Sequence, residues 1–229
     1  MSGAVAIWHD IAPEGLAEFY AWHGEEHMPE RVSIPGFCSG RRFIAKAADL
    51  QFFNLYETQS PEVVRSPGYK ARLDSPTPRT LSAVRHFRNV ARSLCRVLVK
   101  HTAPESGIGQ AGLIATLRYD VEETQEAAHL EKFQQAIVPA LAQSAGICAV
   151  SLLVADRAAS GYVNAEQRAR GVANAVPPIV LLVEGWADEV SFSNLINSVL
   201  APQELARHGL SGSAELGVYA HQLTLLGRL

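Results

Sequence analysis

MPERVSIPGFCSGRRFIA, residues 28–45, and VPALAQSAGICAVSLLVA, residues 138–155, read as two copies of one segment. A shift of 110 positions lays Pro29 on Pro139, Gly36 on Gly146, Cys38 on Cys148 and Ala45 on Ala155, and further upstream Asp10 on Asp120. A second shift, of 127 positions, lays Tyr56-Glu57 on Val183-Glu184. The difference of 17 positions is an insertion in the second copy, and the polar stretch 156–175 is the place for it. One offset kept across several elements marks an internal duplication.

The order of elements agrees. VAIWHD (5–10) reads as a strand, 13–32 as a helix, and FCSGRRFIA (37–45) and FFNLYET (52–58) as strands. Residues 60–73 and 77–93 read as helical or partly helical, and LCRVLVKH (94–101) as a closing strand. The second copy gives a strand at 113–120, a helix at 122–143, strands at 147–155 and 179–187, helical segments at 189–201 and 202–209, and a strand at 215–226. Each half is then β-α-β-β-α-β, a ferredoxin-like unit with helices on one face of its sheet. The expected fold class is α+β: two ferredoxin-like repeats, 1–108 and 109–229, packed sheet on sheet so that each covers the other's bare face.

Composition limits the function classes. Twenty basic and 23 acidic residues leave a net charge of −3 and no sustained basic stripe, which argues against a nucleic-acid partner. The longest apolar run, 177–183, is strand-sized and far short of the roughly 18 residues a membrane helix needs, so no membrane partner is expected. MSGAVAIWHD lacks the basic and apolar regions of a signal peptide, and Cys38, Cys95 and Cys148 form no CxxC pair. Both features fit a reduced, cytoplasmic location without a disulfide or zinc framework. No Walker loop, GxGxxG or GxSxG motif is present.

FYAWHGEEHMPERVSIPGF (19–37) resembles a helix end found in proteins of the dimeric α/β-barrel superfamily, here fused in tandem. It is more loosely similar to the ethyl tert-butyl ether degradation protein family and to antibiotic-biosynthesis-type monooxygenases. The superfamily likeness spans nearly the whole chain, and the sharp motif only these residues. The resemblance implies the barrel fold. It transfers no single activity, because the superfamily hosts monooxygenases, isomerases and haem enzymes.

At 100° per residue, Leu16, Phe19, Tyr20, His23 and His27 share one helix face, with Glu26 and Glu30 flanking it. The second repeat is an internal control. At the same offset His23 becomes Phe133, His27 becomes Ile137, Glu26 becomes Ala136, Glu30 becomes Ala140 and Arg31 becomes Leu141. Ionisable groups at core positions cost several kcal/mol unless paired, so partners are expected. Three readings compete. The cluster is a structural network tying helix to strand. Or it lines a small-molecule pocket between helix and sheet, with His23 or His27 as acid/base and Glu26 as its orienter. Or His23 and His27, at i, i+4, share a divalent metal with Glu26 or Glu30. The order H-x-x-E-H matches an inverzincin in letters, but the strand-helix-strand setting argues against that fold.

Other polar residues join the first-half set. Alternation puts Val5, Ile7 and His9 on one face of their strand, with a water-contacting strand end as the competing reading for His9. Of Arg41 and Arg42, one points to each side of its strand, and the inner one suits a carboxylate or an anionic substrate. Tyr56 and Asn54 stand where the second repeat has Val183 and Leu181. Glu57 and Glu184 occur in both halves and read as scaffold. His86 is a candidate haem ligand, Arg85, Arg88 and Arg92 read as partly solvated, and the proline-rich 60–80 region reads as a lid over one end of the barrel, with Tyr69 and Arg72 closing over a ligand. The insertion 156–175 reads as an exposed hairpin or short helix.

The expected function is that of a small-molecule enzyme or binder of the monooxygenase or isomerase type, working without a bound cofactor; haem or a divalent metal in the first repeat is the alternative. By resemblance and residue type, His27, His23 and Glu26 would be base and orienter, Arg41 or Arg42 and Tyr56 would stabilise developing negative charge, and His9 and Glu30 would complete the substrate site. The alternative is a non-catalytic ligand-binding or assembly module with a purely structural polar cluster. A homodimer is compatible with either reading.

Overall fold

Alternation along the strands sets the architecture. In β1 (Gly3–Ile11) Ala4, Ala6 and Trp8 face one way and Val5, Ile7 and His9 the other. The computed structural model describes residues 1–102, 110–210 and 212–227. Within them β1 is followed by a 3-10 turn (Pro13–Gly15), α1 (Leu16–Trp22), a π-helical turn (His23–His27) and α2 (Met28–Val32). Strands β2 (Phe37–Ala47) and β3 (Phe52–Thr58) follow, then a 3-10 turn (Pro61–Arg65), α3 (Pro67–Asp74), α4 (Pro78–Ala83), a 3-10 turn (Val84–His86) and β4 (Phe87–Thr102). The second half repeats the plan: β5 (Leu113–Tyr119), α5 (Glu123–Lys132), a π turn (Phe133–Ile137), α6 (Val138–Ala142), β6 (Ile147–Ala155), α7 (Arg157–Ser160), α8 (Ala165–Arg170), β7 (Ile179–Gly185), α9 (Glu189–Val199), α10 (Pro202–Arg207) and β8 (Ala214–Leu226). The expected junction between 108 and 109 lies outside the described residues.

The strands close into one barrel in the order β1-β3-β2-β8-β5-β7-β6-β4, all antiparallel. Pairing of β2 with β8 and of β4 with β6 joins the two four-stranded sheets, so no edge is left open. Residues from both halves fill the interior, among them Ala6, Trp8, Phe43, Phe53, Ile114, Val180, Leu182 and Tyr219. The helices cover the outside. In the second repeat a single apolar cluster joins helices to sheet, with Phe133, Ile137 and Leu141 buried in it. In the first repeat the corresponding layer is split into two clusters, around Met28 and around Phe19. Buried polar residues of the first repeat, His23, His27 and Arg31 among them, belong to neither.

Three local readings need correction. The helix expected over 13–32 is interrupted by the π turn at His23–His27, which recurs at Phe133–Ile137. Pro29 and Pro139 explain both: neither has an N–H to offer the carbonyl four residues back, and the ladder widens to i→i+5, as in the Met28 N–H donating to the His23 carbonyl. The helix expected through 77–93 ends at Ala83, and strand begins at Phe87. Asn89, at φ 51°, forms a bulge where the pairing jumps from Trp8↔Ala91 to Asp10↔Arg88. The extra residue puts Phe87 and Val90 on the same face at a spacing of three, which imitates a helix. Finally, 60–80 lies over the helix-side face of the first sheet rather than over a barrel end, with Tyr69 and Leu73 buried against Val5 and Tyr56.

The insertion is two short helices but not a free excursion. Ala175 and β4 exchange backbone hydrogen bonds, Ala175 N–H to the Val90 carbonyl and Arg92 N–H to the Ala175 carbonyl, both 2.9 Å. The second repeat thereby reaches across onto the first. No helix among the described residues is long and apolar enough to cross a membrane.

Candidate active site

The π turn brings His23 and His27 onto one side of the helix, their ring centroids 5.6 Å apart and near-parallel. His9, on the helix-side face of β1, lies under the same helix, so all three imidazoles are buried, at 0%, 3% and 9% exposure for His9, His23 and His27. This excludes the water-contacting strand end considered for His9. Burial depresses all three pKa values, to about 3 for His9 and well below 6.5 for the other two. After burial, Arg42 is the largest influence on His23 and Arg31 on His27. All three rings are neutral near pH 7.

Two of the three are held by hydrogen bonds. Asn54 Nδ2 donates to His9 Nε2 at 2.9 Å, leaving the His9 proton on Nδ1, 3.4 Å from the Asp10 carbonyl. The rings of Phe19, Phe52 and Phe87 enclose it, with centroids at 5.2, 5.3 and 4.4 Å. Arg42 Nη1 donates to His23 Nδ1 at 3.3 Å, while its Nε donates to Gln222 Oε1 at 2.6 Å. His27 differs: its Nδ1 is buried with no hydrogen-bond partner, and its ring lies against Trp22 at 4.4 Å.

A cavity of about 70 Å³ opens beside His27. Helix residues Trp22, His27 and Arg31, sheet residues Ile7, Tyr56 and Arg92, Tyr69 and Leu73 of α3, and Asn164, Glu166 and Arg170 of the insertion are in its wall. His27, Arg31, Tyr56 and Arg170 each carry a buried polar atom without a partner: Nδ1, Nη1, Oη and Nε. Burial pushes the Tyr56 phenol upward, so it stays protonated and able to donate. Glu166 forms an ion pair with Arg31 Nη2, and burial raises its carboxyl above the ordinary range against the pull of Arg31 and Arg92. Space of this volume holds a few waters or a small ligand group.

Among the expected site residues, only His27 and Tyr56 line this cavity. His9, His23 and Arg42 stand behind its wall. Glu26 is hydrogen-bonded to neither imidazole; the hydroxyls of Thr77 and Thr80 donate to its carboxylate, so it fastens its helix to the start of α4 instead of orienting a histidine. Glu30 sits at the rim, 3.7 Å from Arg31 and 3.3 Å from Arg72. Arg41 points into the barrel, where Nη1 and Nη2 donate to Glu184 at 2.6 and 3.1 Å and Glu57 lies at 3.5 Å. Lys100 adds a contact to Glu57 at 3.1 Å. Glu57 and Glu184 are scaffold in this sense, joining the halves through Arg41. Arg92 is buried rather than solvated, and Arg72 turns outward to Glu30.

For a metal, the described residues offer no group of three or more His, Cys, Asp or Glu side chains. His86 lies outside the cavity, 3.6 Å from Glu18 and packed on Gly15, in no position to ligate haem there. Arg31 stands out in the sequence as a charge at a core position, whereas the residues missed there are Arg92, Glu166 and Arg170. A topological signal for the last two exists: β6 pairs with β4, so an insertion after β6 emerges beside the first repeat's site.

A closed eight-stranded barrel of two fused β-α-β-β-α-β units decides the fold. The chain folds as one α/β barrel built from two ferredoxin-like repeats. An anthrone oxidase-like protein superposes with TM-score 0.61 at 16% identity, over 98% of this chain and 92% of its own. A provisionally assigned monooxygenase from Fusobacterium nucleatum gives 0.56 at 11%, over 100% and 96%. Another from Lactobacillus acidophilus gives 0.55 at 12%, over 99% and 97%. At such identities the barrel shares a fold with them and no more. No protein-family model and no curated protein matches the sequence.

Proposed function

We propose that the first-repeat cavity is a small-molecule site in which His27 is the acid/base for an enolisable substrate, in the manner of a monooxygenase or isomerase without a bound cofactor. The observation that carries this reading is the cavity beside His27 with four partnerless buried polar atoms in its lining residues. A closed structural network would pair them. The names of the similar structures, an anthrone oxidase-like protein and monooxygenases, point to the same chemistry.

Both reactions start alike. A C–H proton beside a carbonyl passes to the neutral His27 imidazole and its electron pair stays on the substrate as an enolate. Reprotonation at a second carbon completes an isomerisation; in an oxygenation of a CH2 group, the carbanion carbon bonds dioxygen to give a peroxide, and loss of the second C–H proton with O–O cleavage leaves a carbonyl and water. Tyr56 and Arg31 would stabilise the enolate. Negative charge there also offsets the field of Arg31 that depresses His27, raising its basicity as the reaction proceeds. His23, stacked on His27 and held by Arg42, is a positioning residue. A second reading, a non-catalytic binding module, is favoured by the hydrogen bonds that hold His9 and His23 and by the low basicity of His27 at rest.

A panel of small enolisable aromatic ketones, anthrone among them, tests the choice through oxygen uptake and deuterium exchange at the acidic carbon. His27→Phe should lower the rate by about 10²-fold or more, with the fold kept, since the second repeat has Ile137 there. Full activity in His27→Phe would remove the acid/base role.

A further inference from the structure

The cavity walls hold more positive charge than they neutralise. Arg31 from α2, Arg92 from β4 and Arg170 from α8 converge on it. The one carboxylate among the lining residues is Glu166, engaged with Arg31 Nη2. Arg92 Nη2 donates to the Tyr69 hydroxyl at 2.9 Å, and Arg170 Nη2 donates to the Asn174 side-chain oxygen, both neutral acceptors. Arg31 Nη1 and Arg170 Nε have no acceptor, Glu30 standing off at 3.7 Å from the former. Buried guanidinium groups without full compensation are costly, and an anion among them relieves that cost.

A second chamber of about 320 Å³ adjoins this one. The two share Tyr69, Leu73 and Arg92 as a common wall. Val64, Leu94 and Ala159 give it an apolar floor, with Lys70 and the Arg65–Asp156 ion pair also in its lining. Alone, the inner cavity is too small for a drug-sized molecule, but the pair approaches the usual range of ligand pockets. The dividing hydrogen bond from Arg92 to Tyr69 belongs to α3, an eight-residue helix whose N-terminal end is held by Ser66.

We infer that the two chambers form one site for an amphipathic carboxylate, its acid group among Arg31, Arg92 and Arg170 and its apolar body extending past Tyr69 into the outer chamber. The inference rests on the reading of the inner cavity as the ligand site and names the class of molecule that fills it. Arg92 exchanges its bond to Tyr69 for the carboxylate, and the freed Tyr69 side chain opens the wall. A guanidinium prefers a carboxylate, which it can meet with two parallel N–H donors, to a single phenol.

Calorimetric titration of the whole protein with 4-phenylbutyrate and with its neutral counterpart 4-phenyl-1-butanol tests this. The acid should bind at least about tenfold more tightly than the alcohol. Arg170→Met should abolish that preference, and Arg170→Lys, which keeps the charge, should retain much of it. Ala158→Trp, at an exposed position lining the outer chamber, should weaken 4-phenylbutyrate and leave acetate unaffected. Equal binding of acid and alcohol, or a preference that survives Arg170→Met, overturns the inference while leaving a ligand site beside His27 intact. No binding of the acid at millimolar concentration overturns it as well. Loss of alcohol binding in His27→Phe, by contrast, speaks only to the site itself.

Discussion

His9, His23 and His27 are kept neutral by burial, and that choice has a price in acid. Each folded-state pKa lies below the unfolded value near 6.5, so the unfolded chain binds more protons at lower pH. Their contribution to stability is complete above about pH 6.5 and declines as pH falls, for His9 until about 3. Below pH 6.5 each buried imidazole should cost about 1.4 kcal/mol per pH unit. Urea unfolding at several pH values checks this: His9→Phe should show a shallower loss than the parent between pH 6 and 4, whatever its absolute stability. An equal slope would mean that His9 takes up a proton while folded. The polar character of this helix face is legible from sequence because the second repeat has Phe133 and Ile137 in the same register. Which histidine faces open space is not legible, because that depends on the partners Asn54 and Arg42, which satisfy the other two across strands.

At the scale of elements, the insertion matters most. Its α8 places Glu166 against Arg31 in a nearly dry setting, with side-chain exposures of 14% and 4%. Breaking such a pair from one side leaves a buried charge, so Glu166→Leu should destabilise by about 3 kcal/mol, and adding Arg31→Leu should restore much of it. Denaturant midpoints of the single and double variants measure the coupling; additive losses would show that the two do not act together. The bulge at Asn89 makes a second case. A left-handed backbone tolerates Asn and Gly but strains a β-branched residue, so Asn89→Val should cost about 1–2 kcal/mol and Asn89→Gly much less. Sequence periodicity misread this segment because one extra residue in a strand converts a spacing of two into three. The 17-residue offset located the insertion, but its composition, polar and rich in alanine, resembles an exposed segment. Only closure of the barrel, which sets β6 beside β4, reveals what it covers.

For the whole molecule, the two repeats form one continuous barrel but differ in the chemistry of their helix-sheet layers. Offsets of 110 and 127 reproduce the π turns, the positive-φ glycines Gly36 and Gly146, and the starts of β3 and β7. The Arg41 bridge to Glu57 and Glu184 spans the halves inside the barrel, and burial of Arg41 is outweighed by its two carboxylates. Arg41→Ala leaves Glu184 buried without its cation and Glu57 with Lys100 alone, and should destabilise by about 3–5 kcal/mol, measured as a loss in unfolding free energy. The second repeat is more than a scaffold: it closes the first repeat's cavity with Asn164, Glu166 and Arg170.

The most direct test of the central claim is a fragment screen read by amide and imidazole NMR shifts on the isotope-labelled protein. Binding at the first-repeat cavity should move His27, Tyr56, Tyr69 and Glu166 together, while Phe133 and Ile137 at the matching place in the second repeat stay still. Fragments that bind elsewhere and leave those four resonances unmoved would contradict it.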